Sequence, residues 1–173
     1  IETATKIFKE ILGYSPSIFS YPFGEYSLYM KKYISNNFKI AFGQHSGVID
    51  INKDKFELPR FQINEKYGEM SRFKSLINYI PLEYKTLKPE EKKLDSKNNP
   101  PKLIVEFFKK QKNIQNINCY SNDGGNWKKP DLKFKDNIMT INFKEPFIPR
   151  RGRVNCSLNE NGKWRWFGTQ FTV

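Results

Sequence analysis

Histidine is nearly absent from this sequence: His45 is the only one among 173 residues. One imidazole falls short of the roughly three protein ligands that a metal-activated water requires. Cysteine is almost as scarce. Cys119 and Cys156 permit at most one internal bridge, which excludes a small scaffold stapled by several disulfides. A bridge requires Cα atoms within about 7 Å, and both a bridge and two buried thiols are compatible with the sequence. The spacing of the pair forms no metal motif. No run approaches the ~20 apolar residues needed to cross a bilayer. The sequence also lacks an initiator methionine, beginning Ile1-Glu2-Thr3. That beginning reads as a processed or cut product, so a missing leader carries no information.

What the chain does have is a core's worth of apolar material. Hydrophobic residues make up 38% and aromatics 16%, with 15 Phe and 9 Tyr. Large aromatic areas of this kind exclude a disordered chain. The formal net charge is +12, which invites a nucleic-acid partner. The excess is mostly scattered lysine, however, and it travels with Asn, Ile and Phe, all residues of AT-rich codons. Composition explains the charge without a nucleic-acid partner, while attraction to an acidic surface or an anionic glycan stays physically reasonable.

Periodicity divides the chain. Ala4, Ile7, Phe8 and Ile11 recur at helical spacing ahead of Gly13, which predicts a helix with a glycine cap. Residues 17–21 read as a strand. A second helix from about Glu25 places Tyr26, Tyr29, Met30, Tyr33 and Ile34 on one face. Strands are expected at 38–42 and 58–63, and a third helix around Met70, Phe73, Leu76, Ile77 and Ile80. This order predicts an α/β layer arrangement with parallel strands over residues 1–85. Residues 86–101, rich in Lys, Glu, Asn and Pro, read as a linker. Residues 102–173 hold six strand-like runs, at 103–108, 114–120, 132–134, 138–143, 153–158 and 164–171. A hairpin signal stands at Asn161-Gly162. The expectation for this half is a small β-sandwich.

The chemistry is concentrated at a few points. Tyr21-Pro22-Phe23-Gly24-Glu25-Tyr26 is a Pro-aromatic-Gly corner between a strand and a helix. Such a corner can leave a backbone N–H free beside an aromatic wall, suitable for an oxyanion, or it is simply a tight turn. The run resembles the third conserved motif of the NodB-homology polysaccharide deacetylases (carbohydrate esterase family 4), closest to the branch acting on poly-N-acetylglucosamine. Ala41 to Asp50 and Leu58-Pro59-Arg60-Phe61 are similar to the segments that come after this motif in that branch, so the likeness covers residues 1 to about 85. Arg150-Arg151-Gly152-Arg153-Val154-Asn155-Cys156 is similar to the endings of bacterial proteins of that family.

The resemblance implies a partial (β/α) barrel of the polysaccharide-deacetylase type, followed by the small all-β sandwich. It implies a divalent metal, zinc by preference, in the intact enzyme, and an N-acetylated polysaccharide or oligosaccharide as partner. It also points to the cell envelope or periplasm. The backbone N–H of Phe23 would donate to the oxyanion, and Tyr21, Pro22 and Tyr26 would shape the sugar groove. Many family members carry an Arg where this chain has Ser20, and Arg60 is the candidate substitute. The family's Thr-Phe-Asp-Asp motif and paired metal-binding histidines are missing. The chain is therefore expected to be a fragment that hydrolyses nothing alone and binds no metal.

His45 is either a site residue that protonates a leaving amine or an ordinary loop residue, and Gln44 is a candidate for hydrogen bonding to sugar. In the β half, Trp164 and Trp166 share one strand face opposite Arg165, either as core or as a sugar platform. The arginines of 150–153 are candidates for an interface between the halves. Trp127, in the loop after Gly124-Gly125, is the better stacking candidate. A non-enzymatic carbohydrate-binding or envelope-interaction protein is the competing reading.

Overall fold

Gly13 stops the first helix. In the computed structural model, which describes residues 1–109 and 113–173, α1 (Glu2–Leu12) ends where Gly13 takes φ 78°, its N–H donating to the Lys9 carbonyl. This is the left-handed cap that residues with a Cβ rarely supply. Strand β1 (Ile18–Ser20) follows, then the Pro22–Gly24 corner, then α2 (Leu28–Asn37). Ser27 caps α2 by accepting the Met30 N–H at 3.2 Å. The chain returns as β2 (Ile40–Phe42), parallel to β1. One βαβ unit results, closed over a small core of Tyr21, Tyr26, Ile34 and Ala41.

The partial barrel expected for this half does not form. A (β/α) barrel closes about eight parallel strands into a ring, whereas here two strands of three residues form a two-stranded sheet. The run at 58–63 touches β2 through a single Phe42–Leu58 bridge. Leu58 bonds β2 through its own N–H and carbonyl, and Pro59, whose N–H position faces the other way, offers no donor to a further strand on that side. The third helix, α3 (Met70–Leu76), is short and buries no residue fully.

The chain is instead mostly β. Strands β3 (Ile80–Pro81), β4 (Thr86–Lys88), β5 (Lys102–Glu106), β6 (Asn118–Ser121), β7 (Asp131–Lys135), β8 (Ile138–Asn142), β9 (Arg151–Glu160) and β10 (Lys163–Thr172) form two four-stranded sheets. Their orders are β3-β10-β9-β6 and β4-β5-β8-β7. Leu103, Val105, Met139 and Ile141 of one sheet meet Val154, Leu158, Phe167 and Phe171 of the other in one core. Cys119 and Cys156 face each other across β6 and β9 and are joined by a disulfide. The stretch at 86–101 opens with β4, puts Leu94 into this core and bridges Lys93 to Thr172.

The hairpin β9–β10 organises the rest. Its two-residue turn holds Asn161 at φ 53° and Gly162 at φ 82°, the primed geometry that matches the strands' right-handed twist. Along β9, Gly152, Val154, Cys156 and Leu158 face the sandwich core, and Arg151, Arg153, Asn155 and Ser157 face away. Register places Trp166, Gly168 and Gln170 beside them on β10. This outer face is covered by the βαβ half, so the two halves meet along a seam rather than through a free linker.

Candidate functional site

The seam encloses a cavity of about 380 Å³. From the βαβ half come Gln44, Ser46 and Arg60, which follow β2. Tyr67, Arg72 and Tyr79 come from α3 and its flanks. Arg153, Asn155 and Trp166 come from the outer face of the hairpin, and Trp127 from the loop after β6. None of the described lining residues is acidic.

Each wall is held before any ligand arrives. Trp166 stacks on Tyr79 with ring centroids 5.8 Å apart and 11° between planes, and Phe61 meets it edge-on. Its indole N–H donates to the Ser46 carbonyl at 3.2 Å. Gly168, two residues on, lies against that same carbonyl, where a Cβ would overlap it. Trp127 is 51% exposed on a short loop closed by paired Ser121–Lys128 backbone bonds of 2.9 Å. Beneath it the fully buried Asp123 accepts the Lys144 and Glu145 N–H groups at 3.0 and 3.1 Å and the Ser121 hydroxyl. Burial alone would raise that carboxyl, but these bonds outweigh it and hold it below the usual range.

The arginines are fixed in a similar manner. Arg60 Nε donates to the Gly43 carbonyl at 3.1 Å. Arg72 Nη1 donates to the Gln62 and Tyr67 carbonyls at 2.9 and 2.8 Å. Arg153 is half-buried, and its Nε has no hydrogen-bond partner among the described residues. Burial, and after it the charge of Arg151, pushes this guanidinium below its ordinary value.

Of the residues singled out from sequence, the structure brings Gln44, Arg60, Trp127 and Trp166 together on this cavity, with Arg153 of the arginine cluster expected at the interface. Tyr21 and Tyr26 lie elsewhere. Tyr21 is 2% exposed and donates to the Phe56 carbonyl, and Tyr26 donates to Glu57 Oε2 at 3.2 Å. Their rings stack at 4.7 Å, so they support the corner from below rather than facing a sugar. Pro22 and Phe23 are exposed at the corner itself. Phe23 takes φ 57°, an uncommon conformation for a bulky side chain. Its N–H finds no acceptor among the described residues. Its carbonyl accepts from Arg151 Nη1 at 3.3 Å and Gln170 Nε2 at 3.4 Å. Arg151 also bonds the Gln44 side chain, which links the corner to the cavity.

His45 points the opposite way from Gln44 and Ser46. It is 6% exposed, with Nδ1 unpartnered, and lines a separate small cavity of about 50 Å³ with Tyr26, Asp50 and Glu57. Burial, reinforced by the nearby Lys92 ammonium, lowers its pKa to about 4. The divalent metal implied by the resemblance does not fit the residues present. Among the described residues no three His, Cys, Asp or Glu side chains converge to hold one, and a cation beside His45 would meet Lys92.

Sequence reasoning missed Arg72, Asn155, Tyr67 and Tyr79 as site residues and placed Arg153 only at the interface between the halves. Alternation along β9 pointed Arg153 and Asn155 away from the sandwich core, so a signal for those two existed. Nothing in the sequence places α3 and its flanks over the hairpin. The arrangement offers aromatic faces, amides and guanidinium forks, the groups that bind sugars and anions. No described carboxylate or imidazole lines it to act as a general base. No family model, curated protein or solved structure matches the chain.

Proposed function

We propose that this chain supplies the carbohydrate-binding wall of a metal-dependent polysaccharide deacetylase acting on an N-acetylated polysaccharide, with the metal and the base contributed from outside these residues. The observation that carries the reading is the meeting of Trp127, Gln44 and Arg60 on one cavity walled by Trp166 and Tyr79. The free N–H and left-handed turn of Phe23 add support, since a tetrahedral intermediate is stabilised by a pre-set donor. The Cys119–Cys156 bridge suits an oxidising compartment such as the cell envelope.

Titration with N-acetylglucosamine oligomers, followed by tryptophan fluorescence, tests the binding role. A saturable change is expected, weakened about tenfold or more by Trp127→Ala, in line with ~1–3 kcal/mol for lost aromatic stacking. The absence of any saturable change with neutral and anionic N-acetylated oligomers alike sinks the reading. The chain supplied with zinc is expected to release no acetate from the same oligomers. Robust metal-dependent release would overturn the assignment of metal and base to residues elsewhere.

A second reading, a carbohydrate-binding protein without catalysis, draws on the same aromatic and arginine lining. A coding sequence reading Thr-Phe-Asp-Asp and then His-x-x-x-His ahead of Ile1 separates the two in favour of the enzyme.

A further inference from the structure

Three guanidinium groups line the seam cavity, and no described carboxylate lies within ion-pair distance of any of them. Of the other three arginines two do find such partners: Arg165 pairs with Glu160, and Arg150 lies 3.7 Å from Glu25. A surface cation without a partner is ordinary because water solvates it. Arg153 is not in that position. It is half-buried, its Nε is sealed from solvent with no acceptor among the described residues, and the Arg151 charge stands beside it. A partly desolvated, unpaired charge gains from a counter-charge that reaches its open Nη groups.

Arg60 and Arg72 show how the counter-charge would be met. Each spends one nitrogen on main-chain carbonyls, Arg60 through Nε and Arg72 through Nη1. That fixes the plane of each guanidinium and leaves its other N–H groups to donate, the fork geometry that matches a carboxylate or a sulfate. Trp127 and Trp166 stand on the same lining, so the anion would arrive on a sugar ring.

We infer that the seam cavity selects an anionic sugar unit, one bearing a carboxylate or a sulfate ester, through Arg60, Arg72 and Arg153. The inference rests on the carbohydrate reading above and specifies which carbohydrate. A sugar phosphate presents the same tetrahedral oxygens as a sulfate ester and shares this chemistry.

The test compares three N-acetylated tetrasaccharides at low ionic strength: a neutral N-acetylglucosamine oligomer, a hyaluronan oligomer with carboxylates, and a chondroitin sulfate oligomer with carboxylates and sulfates. Both anionic probes are expected to bind at least about tenfold tighter than the neutral one, as two charge-assisted bonds allow. Equal affinity for the two assigns the carboxylate as the recognised group, and tight binding of the sulfated probe alone assigns the sulfate. In the double variant Arg72→Gln/Arg153→Gln the anionic-to-neutral ratio should fall to near one. Arg60→Gln, at an exposed position, should lower the same ratio and serves if the double variant does not fold.

A control removes two exposed lysines remote from the seam, Lys133→Gln/Lys135→Gln on β7. If that control lowers the ratio as much as the arginine pair does, the preference comes from the net positive charge and the inference fails. It fails also if the neutral oligomer binds as tightly as the charged ones, an outcome that leaves the carbohydrate reading standing. Binding of none of the three removes both.

Discussion

At the scale of single residues, His45 carries the most physics. Its position after β2 alternates with Gln44 and Ser46, so those two reach the seam cavity and the imidazole is driven into the interior. There it stays neutral, with a folded pKa of about 4 against roughly 6.5 in an unfolded chain. Between those values the unfolded state binds a proton that the folded state refuses. Stability therefore falls as pH drops from about 6.5 to about 4, by at most ~3 kcal/mol from this residue. Urea unfolding at several pH values should show this loss, and His45→Gln should flatten the slope within that window. An unchanged slope in the variant would place the acid sensitivity on carboxylates instead. The sequence alone could not decide between a catalytic and a structural His45, because the choice depends on which side of the chain Lys92 and the sandwich would come to occupy.

At the scale of elements, what was legible followed short-range chemistry. The Gly13 cap and the Asn161-Gly162 hairpin are set by residues within a few positions of one another, whereas the second helix, expected from about Glu25, begins only after the Ser27 cap and leaves Tyr26 outside it. Six of the sandwich strands were visible from apolar alternation. Strands β3 and β4 were not, since Ile80–Pro81 and Thr86–Lys88 become strands only by pairing with β10 and β5. The barrel expectation failed for a related reason: the apolar run at 58–63 looks like a strand locally, but only its start pairs with β2, and Pro59 offers no donor to a further strand beyond it. The Trp127 loop illustrates an element held by one distant group. Asp123 ties it to the main chain at Lys144 and Glu145, more than twenty residues away. Asp123→Asn keeps the shape but loses the charge, and should cost about 1–3 kcal/mol in thermal or chemical unfolding. If the loop acts as a sugar platform, the same change should also weaken oligomer binding. Lost stability with unchanged binding would show that Trp127 holds its place without Asp123.

For the whole molecule, the decisive feature is that neither half is finished without the other at the seam. The outer face of β9–β10 would expose Trp166 and Gln170 if the βαβ half were removed, yet Gln170 is buried and donates to the Gly24 carbonyl at 3.1 Å. Gly24 itself sits at φ 74° against Gln44, so the strand-to-helix corner, the cavity wall and the hairpin are one contact system. Gly168 is its narrowest point. A methyl group there would overlap the Ser46 carbonyl, which is main chain and cannot swing aside as a side chain would. Overpacking of this kind costs about 1–3 kcal/mol or more, so Gly168→Ala should lower the unfolding midpoint and abolish oligomer binding together. The comparison is Ile11→Lys on α1, where the side chain is 74% exposed and an effect within about 0.5 kcal/mol is expected. A helix apolar in sequence but exposed in the fold contributes little to stability, whereas one glycine at the seam governs both stability and the cavity. If Gly168→Ala lowered stability while oligomer affinity held, the binding surface would have to lie within one half, on Trp127 and the hairpin without Gln44 and Arg60. That outcome would move the sugar site off the seam, and with it the grounds for reading the two halves as one binding unit.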